Sequence, residues 1–184
     1  GTLDEKKALL TSNVIYKAFN DAELIANGGY IVVVGETTVD VTESMYFSSL
    51  TEFKTPKTGT KNITITSVYD GVDYRTQGAK LVFDQTQTCT AFTLKTPTTW
   101  ENLNIESKFD SSKFTYLNVE RFFMIACNGY KTVFGEGLNV VSNDINSVKI
   151  EAYPTIVGGH RWENLTKNTD VTIKSGTWGS VFGG

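Results

Sequence analysis

The stretch DVTIKS at residues 170–175 has the same form as three others: NITITS at 62–67, NLNIES at 102–107 and SVKIEA at 147–152. In each, two aliphatic residues stand two positions apart between polar ones. Residues two apart in a strand point to the same face of a sheet, so each stretch predicts a short strand with one apolar side. The small residue near the end of each stretch suits a tight bend. These stretches predict an all-β fold built from short strands.

The spacing of the four stretches favours a repeating architecture. They begin at residues 62, 102, 147 and 170. The uneven gaps between these starts are close to multiples of a unit of about 20 to 24 residues, a length typical of solenoids. A sandwich of two sheets also contains alternating strands, but it has no reason to reuse one local pattern in this way. We therefore expect a parallel β-helix, in which strands of successive turns pair in parallel.

The first part of the chain has a helical pattern instead. A capping-box spacing predicts a short helix from Thr2 to Leu10. Apolar residues then recur at helical spacing from Asn13 to Ala26, and the glycines that follow favour a helix end. We expect residues 1–29 to form an N-terminal amphipathic cap that covers the first turn of the β-helix, and residues 30–184 to form the turns themselves.

Net charge and composition limit the kinds of partner that the chain is expected to bind. The chain of 184 residues has a net charge of −3, with no basic excess to follow phosphates, so no nucleic acid partner is expected. Its longest strongly apolar run, Ile31–Val34, is too short to cross a bilayer, so no membrane insertion is expected in this segment. Cys89 and Cys127 match no metal or redox spacing. A disulfide in an oxidising compartment and two buried thiols both remain open.

Several stretches also resemble segments of known proteins. Residues 18–35 (AFNDAELIANGGYIVVVG) contain a helix that leads through two glycines into a strand. Residues 98–105 (TTWENLNI), 128–131 (NGYK) and 135–137 (GEG) form a second set, and residues 172–184 (TIKSGTWGSVFGG) a third. The first is similar to the N-terminal segment of pectate-lyase-like right-handed parallel β-helix proteins. The other two are similar to parts of large adhesin-like surface proteins of bacteria.

The resemblance implies both a fold and a location. The fold is a right-handed parallel β-helix with an N-terminal capping helix. The location is extracellular or at the cell surface, with any signal peptide already removed. We expect a non-enzymatic, adhesin-like module that serves as a structural stalk or binds surface glycans or a host or matrix protein. The chain stops at residue 184 without a polar closing segment, so we also expect it to be the N-terminal part of a longer protein.

An enzymatic alternative is a polysaccharide lyase or glycoside hydrolase with catalytic residues partly beyond residue 184. Asn168–Asp170 matches the Asn-Thr-Asp signature of polygalacturonase-like hydrolases, in which paired carboxylates act as general acid and base. The further Asp pair and the downstream Gly-His-Gly of that family are missing, so a turn is predicted here. Asp70–Arg75 holds too few oxygens for calcium and is predicted to be a solvated loop. We assign no catalytic residue, no metal and no cofactor.

One compact polar and aromatic group is a candidate ligand site. His160, the single histidine, is followed by Arg161 and Trp162 after two glycines. Trp162 could stack on a sugar ring while Arg161 binds a carboxylate. The alternative is that Trp162 packs on a loop and Arg161 is solvated.

Overall fold

The computed structural model describes residues 14–39, 58–85, 91–113, 124–147, 152–159, 165 and 167–183. The helix predicted at residues 2–10 and residues 148–151 of the strand predicted at 147–152 lie outside these ranges. Within the described residues the protein is mostly β, with parallel sheets and two short helices. The predicted all-β character is confirmed. None of the described helices has the length and apolarity needed to cross a membrane.

The helices are α1 (Val14–Phe19) and α2 (Ala22–Asn27). The strands are β1 (Gly29–Val32), β2 (Glu36–Val39), β3 (Ile63–Thr66), β4 (Val68–Tyr69), β5 (Val72–Asp73), β6 (Lys80–Gln85), β7 (Ala91–Thr93), β8 (Thr98–Trp100), β9 (Asn104–Phe109), β10 (Met124–Ala126), β11 (Thr132–Phe134), β12 (Asn139–Asp144), β13 (Thr155–Val157), β14 (Val171–Ile173) and β15 (Val181–Phe182). Two 3-10 turns lie at Tyr74–Gln77 and Ser111–Lys113.

The prediction of one continuous helix from Asn13 to Ala26 is wrong, because the chain breaks between α1 and α2. The side chain of Asp21 accepts hydrogen bonds from the backbone N–H groups of Glu23 at 3.0 Å and Leu24 at 3.1 Å. Asp21 therefore acts as the N-cap of a second helix. A short acidic side chain competes for backbone donors in this way, which makes it a better cap than an interior residue.

Three parallel sheets make up the described β structure. Sheet 1 has the order β1-β3-β8-β11-β14, sheet 2 the order β2-β6-β9-β12, and sheet 3 the order β7-β10-β13-β15. From β6 to β14 the chain passes through sheets 2, 3 and 1 in unbroken rotation. The hairpin β4–β5 is the one antiparallel pair in the part of the chain that the structure describes.

The register of sheet 1 corrects the predicted repeat length. Residues 29, 63, 98, 132 and 171 lie side by side. Neighbouring strands of sheet 1 are therefore roughly 35 residues apart in the sequence, which is longer than the unit of about 20 to 24 residues expected from the sequence. NITITS and DVTIKS do share sheet 1, but NLNIES forms part of β9 in sheet 2. The alternating pattern shows only that one face of a strand is buried. Strands of all three sheets have a buried face, so the pattern does not identify strands that occupy equivalent positions.

Inward-facing residues line up in rows along each sheet. The long row in sheet 1 consists of Ile31, Ile65, Trp100, Phe134 and Ile173. The middle three are fully buried, whereas Ile173 on the last strand is 37% exposed. Rows of sheets 2 and 3 join the same hydrophobic cluster, which includes Leu81, Ile105, Val140, Phe92, Ile125 and Ile156. The three sheets therefore share one core.

Aromatic rings connect this core from end to end. Trp100 lies 6.0 Å from Phe92 and 6.0 Å from Phe134, measured between ring centroids, and Phe134 lies 4.9 Å from Trp178. Trp178 is partly buried and packs against the core. At the other end, Phe19 of α1 is fully buried and lies 5.4 Å from Phe92. Helix α1 therefore packs against the β core through its apolar face.

Cys127 is a free, buried thiol at the end of β10. Burial raises its pKa to about 11, because the charged thiolate is poorly solvated there. Cys89 lies outside the described residues. The structure thus agrees with a buried, unreactive thiol at Cys127.

The inward row of sheet 1 gives the first prediction. Replacing Phe134 with Ala should lower the free energy of unfolding by about 3–5 kcal/mol, because it removes a fully buried ring and its contacts with Trp100 and Trp178. Replacing Val181, which is 52% exposed, with Ala should cost about 0.5 kcal/mol or less. Urea denaturation of both variants measures the difference. Equal costs would contradict a shared core.

Candidate binding surface

The predicted ligand residues His160, Arg161 and Trp162 lie outside the described residues. Their role therefore stays a prediction. The described residues present a different candidate surface, which is formed by the outward faces of sheets 1 and 2.

The outward face of sheet 1 carries a row of in-register side chains. It consists of Tyr30, Thr64, Thr99, Val133 and Thr172. All five are at least partly exposed to solvent. Neighbouring strands are about 4.8 Å apart, so the row forms a nearly regular line of hydroxyl and apolar groups that ends in an aromatic ring. We call it the outer row.

Asn62 fixes two hydroxyls of the outer row. Its side-chain Nδ2 donates to Oγ1 of Thr64 at 3.2 Å, and its Oδ1 accepts from Oγ1 of Thr99 at 3.2 Å. Asn62 is itself exposed. The two threonine side chains are therefore oriented before any ligand arrives, which reduces the entropy that binding would cost.

Two exposed tyrosines stand at the β1 end of the outer row. Tyr30 is 56% exposed and Tyr69 is 48% exposed. Their ring centroids are 5.4 Å apart and the ring planes are inclined by 55°. We call them the tyrosine pair. An inclined pair with this much exposed area presents an apolar surface to solvent, next to polar groups.

The hairpin β4–β5 brings Tyr69 into the pair. Its turn is formed by Asp70 and Gly71, both with positive φ, at 51° and 75°. This conformation is typical of the tight turns that Asp-Gly favours. Thr66 supports the hairpin at its base, because its Oγ1 accepts from the backbone N–H of Val68 at 3.0 Å.

Arg75 ties the end of the hairpin to a distant corner of the fold. Its Nε and Nη2 donate to the two carboxylate oxygens of Asp73 at 2.9 and 2.7 Å. Its Nη1 donates to the backbone oxygen of Gly137 at 3.0 Å. The hydrogen bond from Arg75 lowers the pKa of the Asp73 carboxyl, and the same pair raises the pKa of Arg75. The segment predicted as a solvated loop is therefore an anchored hairpin, with Asp73 and Arg75 partly buried.

The outward face of sheet 2 is a charge ladder. Lys80 Nζ lies 3.2 Å from Glu36 and 2.6 Å from Glu106, and Asn143 Nδ2 donates to the other oxygen of Glu106 at 2.8 Å. Each of these residues belongs to a different strand of the sheet. A second pair, Lys108 and Asp84, has a separation of 3.4 Å. The charged side chains of the ladder therefore pair with one another.

Glu106 is the most enclosed acid of the ladder, with 12% of its side chain exposed. Burial acts to raise its pKa, but hydrogen bonds from Lys80 and Asn143 outweigh burial and the pKa lies below its usual value. The hydrogen bond to Glu106 raises the pKa of Lys80, against a smaller opposing effect of burial. Both shifts stabilise the charged forms in the folded protein.

Polar side chains also gather at the end of β12. The amide Nδ2 of Asn146 lies 2.6 Å from Oδ1 of Asp110 and 3.3 Å from Oδ1 of Asp144. Burial acts to raise the pKa of Asp144, but hydrogen bonds from Ser111 and Asn146 outweigh it and the pKa is lowered. These contacts hold a turn, and Asp110 is 7% exposed.

The Asn-Thr-Asp stretch has a structural place in the fold. Asp170 is exposed, and its backbone oxygen accepts from the N–H of Thr132 at 2.9 Å. It leads directly into β14. Residues 168–170 are extended rather than turned, so the structure does not support the predicted turn at this stretch.

Comparison of the chain with known protein families, with curated proteins and with solved structures finds no match in any of the three. The resemblance to pectate-lyase-like and adhesin-like proteins therefore stays a hypothesis based on local sequence.

The tyrosine pair is the feature that sequence reasoning missed. Tyr30 begins a predicted strand, and Tyr69 precedes an Asp-Gly turn, so each was visible alone. The two rings come into contact because the hairpin β4–β5 folds back toward β1. The Asp-Gly turn followed by Asp73 and Arg75 was the one local signal that the segment is ordered.

The Arg75 anchor gives the second prediction. Replacing Arg75 with Ala should speed hydrogen–deuterium exchange across residues 68–78, because the hairpin loses its bonds to Asp73 and Gly137. Replacing it with Lys should give an intermediate rate, since an ammonium group cannot make the two-pronged contact. Replacing the exposed Lys174 with Ala is the control and should leave these rates unchanged. Unchanged exchange in the Arg75→Ala variant would contradict the anchor.

The charge ladder gives the third prediction. Because the folded-state pKa of Glu106 is lowered, its contribution to stability is present above the unfolded value of about 4.3 and is lost as pH falls through the folded value. Glu106→Gln should therefore be less stable than the parent protein at pH 7, and this difference should shrink in acid. Thermal unfolding between pH 7 and pH 2.5 measures it. Glu136→Gln, at an exposed site, is the control and should change the stability at pH 7 by about 0.5 kcal/mol or less.

Proposed function

We propose that the chain forms a right-handed parallel β-helix and serves as a non-enzymatic module outside the cell or at its surface. The fold part of the proposal is supported by the unbroken rotation of the chain through three parallel sheets from β6 to β14. It is also supported by the register of sheet 1, in which residues 29, 63, 98, 132 and 171 align. One turn of the β-helix then comprises one strand from each sheet with its corners.

The handedness rests on a general rule of connection. Each passage from one strand of sheet 1 to the next, such as β8 to β11, is a crossover between parallel neighbours in one sheet. Such crossovers are right-handed in about 98% of cases, because twisted strands pack that way. In this arrangement α1 lies at the beginning of the stack, where Phe19 packs on the first described strand of sheet 3.

The function part rests on one observation, the exposed tyrosine pair at the end of the outer row. A single exposed apolar residue such as Phe182 is ordinary, but two aromatic rings in contact on the outside of a tube of stacked strands form an exposed patch of the kind that marks binding surfaces. An oriented row of hydroxyls beside exposed rings is suited to a glycan, which offers both hydroxyl and C–H surfaces. We therefore favour an adhesin-like, glycan-binding module, with a stalk as its structural role.

The experiment that tests this proposal has two parts. Surface labelling of intact source cells with a membrane-impermeant reagent should modify the protein, and incubation with plant and microbial polysaccharides should release no new reducing ends or unsaturated products. Labelling only after lysis would contradict the surface role. Product formation that is lost in Asp170→Asn would instead support the alternative of a carbohydrate-active enzyme.

A further inference from the structure

We propose that the tyrosine pair is a stacking site for a neutral sugar ring; this rests on the proposed glycan-binding role and names its site and ligand class. The inference concerns Tyr30 and Tyr69 together with the adjacent hydroxyl of Thr64.

The two rings touch at an inclined angle that leaves part of each ring face open to a ligand. With centroids 5.4 Å apart and planes inclined by 55°, they cover each other only in part, and about half of each residue stays exposed. Other aromatic residues of the described β core, such as Phe92 and Phe134, are fully buried. The C–H face of a pyranose can pack on an aromatic face while its hydroxyls remain free to form hydrogen bonds.

Both rings are carried by restrained backbone. Tyr30 lies in β1, which pairs with β3 along its whole length. Tyr69 lies in the hairpin that Arg75 anchors to Asp73 and Gly137. A preformed site loses little entropy when a ligand binds, so a small apolar contact can still contribute useful affinity.

Polar groups suited to a sugar lie beside the rings. Tyr30 is in register with Thr64, whose hydroxyl is oriented by Asn62. Thr99 continues the same row on the next strand. Each of these hydroxyls keeps hydrogen-bonding capacity beyond its contact with Asn62; a purely apolar partner would cover that capacity, which is costly, whereas a sugar can replace the water contacts.

The charges near the pair favour a neutral ligand. Arg75 is bonded to Asp73, and on the next face Lys80 and Lys108 are paired with Glu106 and Asp84. The chain as a whole carries a net charge of −3. An acidic polysaccharide would need unpaired cations along its path, and the exposed Lys61 beside Asn62 is the candidate cation to test.

Titration of the protein with neutral cellohexaose, mannohexaose and xylohexaose, and with acidic hexagalacturonate, tests the inference. We expect at least one neutral probe to bind, and Tyr30→Ala and Tyr69→Ala each to weaken that binding by about tenfold or more. Tyr30→Phe should bind within about threefold of the parent protein, because the ring is kept. Phe182→Ala, which removes another exposed aromatic side chain on β15, is the matched control and should bind normally. Thermal melts confirm that every variant is folded.

Several outcomes would overturn the inference. These are no binding of any neutral probe, equal binding by the alanine variants, or stronger binding of hexagalacturonate that is lost in Lys61→Gln. Surface labelling does not depend on any of them. A protein that is labelled on intact cells but binds none of the probes keeps its proposed surface role as a stalk and lacks this sugar site.

Discussion

In-register pairing of parallel strands is the constraint on which the rest of this structure depends. When neighbouring strands run parallel without a shift, each side chain lies beside its counterpart on the next strand, about 4.8 Å away. Each side chain in such a row therefore has to be compatible in size and polarity with its neighbours on both sides. Ile65, Trp100 and Phe134 meet this condition inside sheet 1 as fully buried apolar groups. On the outside, the same condition pairs Glu36 with Lys80 and Asp84 with Lys108, while Glu106 reaches Lys80 diagonally.

In the interior, this in-register packing leaves some buried polar atoms without hydrogen bonds, which costs stability. Trp100 Nε1 and Ser107 Oγ are buried and have no hydrogen-bond partner within the part of the chain that the structure describes. A buried polar atom without a partner costs on the order of 1–3 kcal/mol. Trp100 contributes its ring to the aromatic series between Phe92 and Phe134, which offsets that loss by dispersion and apolar burial. Ser107 lies beside Phe83 in the register of sheet 2, where a larger residue would have to share the same interior space.

The sequence alone was enough for the all-β class, the parallel sheets and several strands, such as Ile63–Thr66 and Val171–Ile173, because the alternation of polar and apolar residues indicates which side of a strand is buried. It was not enough for the repeat length, since strands of different sheets share that alternation. It also failed at α1 and α2, where helical spacing continues across Asp21 but the side chain of that residue caps a new helix. The tyrosine pair joins two residues that are far apart in the chain, Tyr30 and Tyr69, and only the fold of the hairpin brings them together.

The hairpin shows how a site can be added to such a scaffold. Because the register of β1, β3 and β8 fixes every side chain within the sheet, new geometry has to enter where the chain leaves one sheet for the next. The hairpin β4–β5 does so between β3 of sheet 1 and β6 of sheet 2, while Ile65 keeps its partners Ile31 and Trp100. A hairpin that leaves the sheets has few contacts with the core. The hydrogen bond from Arg75 to the backbone oxygen of Gly137 attaches it to the rest of the fold. Sheet 1 positions Tyr30, and the hairpin held by Arg75 positions Tyr69. The geometry of the tyrosine pair therefore depends on Arg75 as much as on either tyrosine.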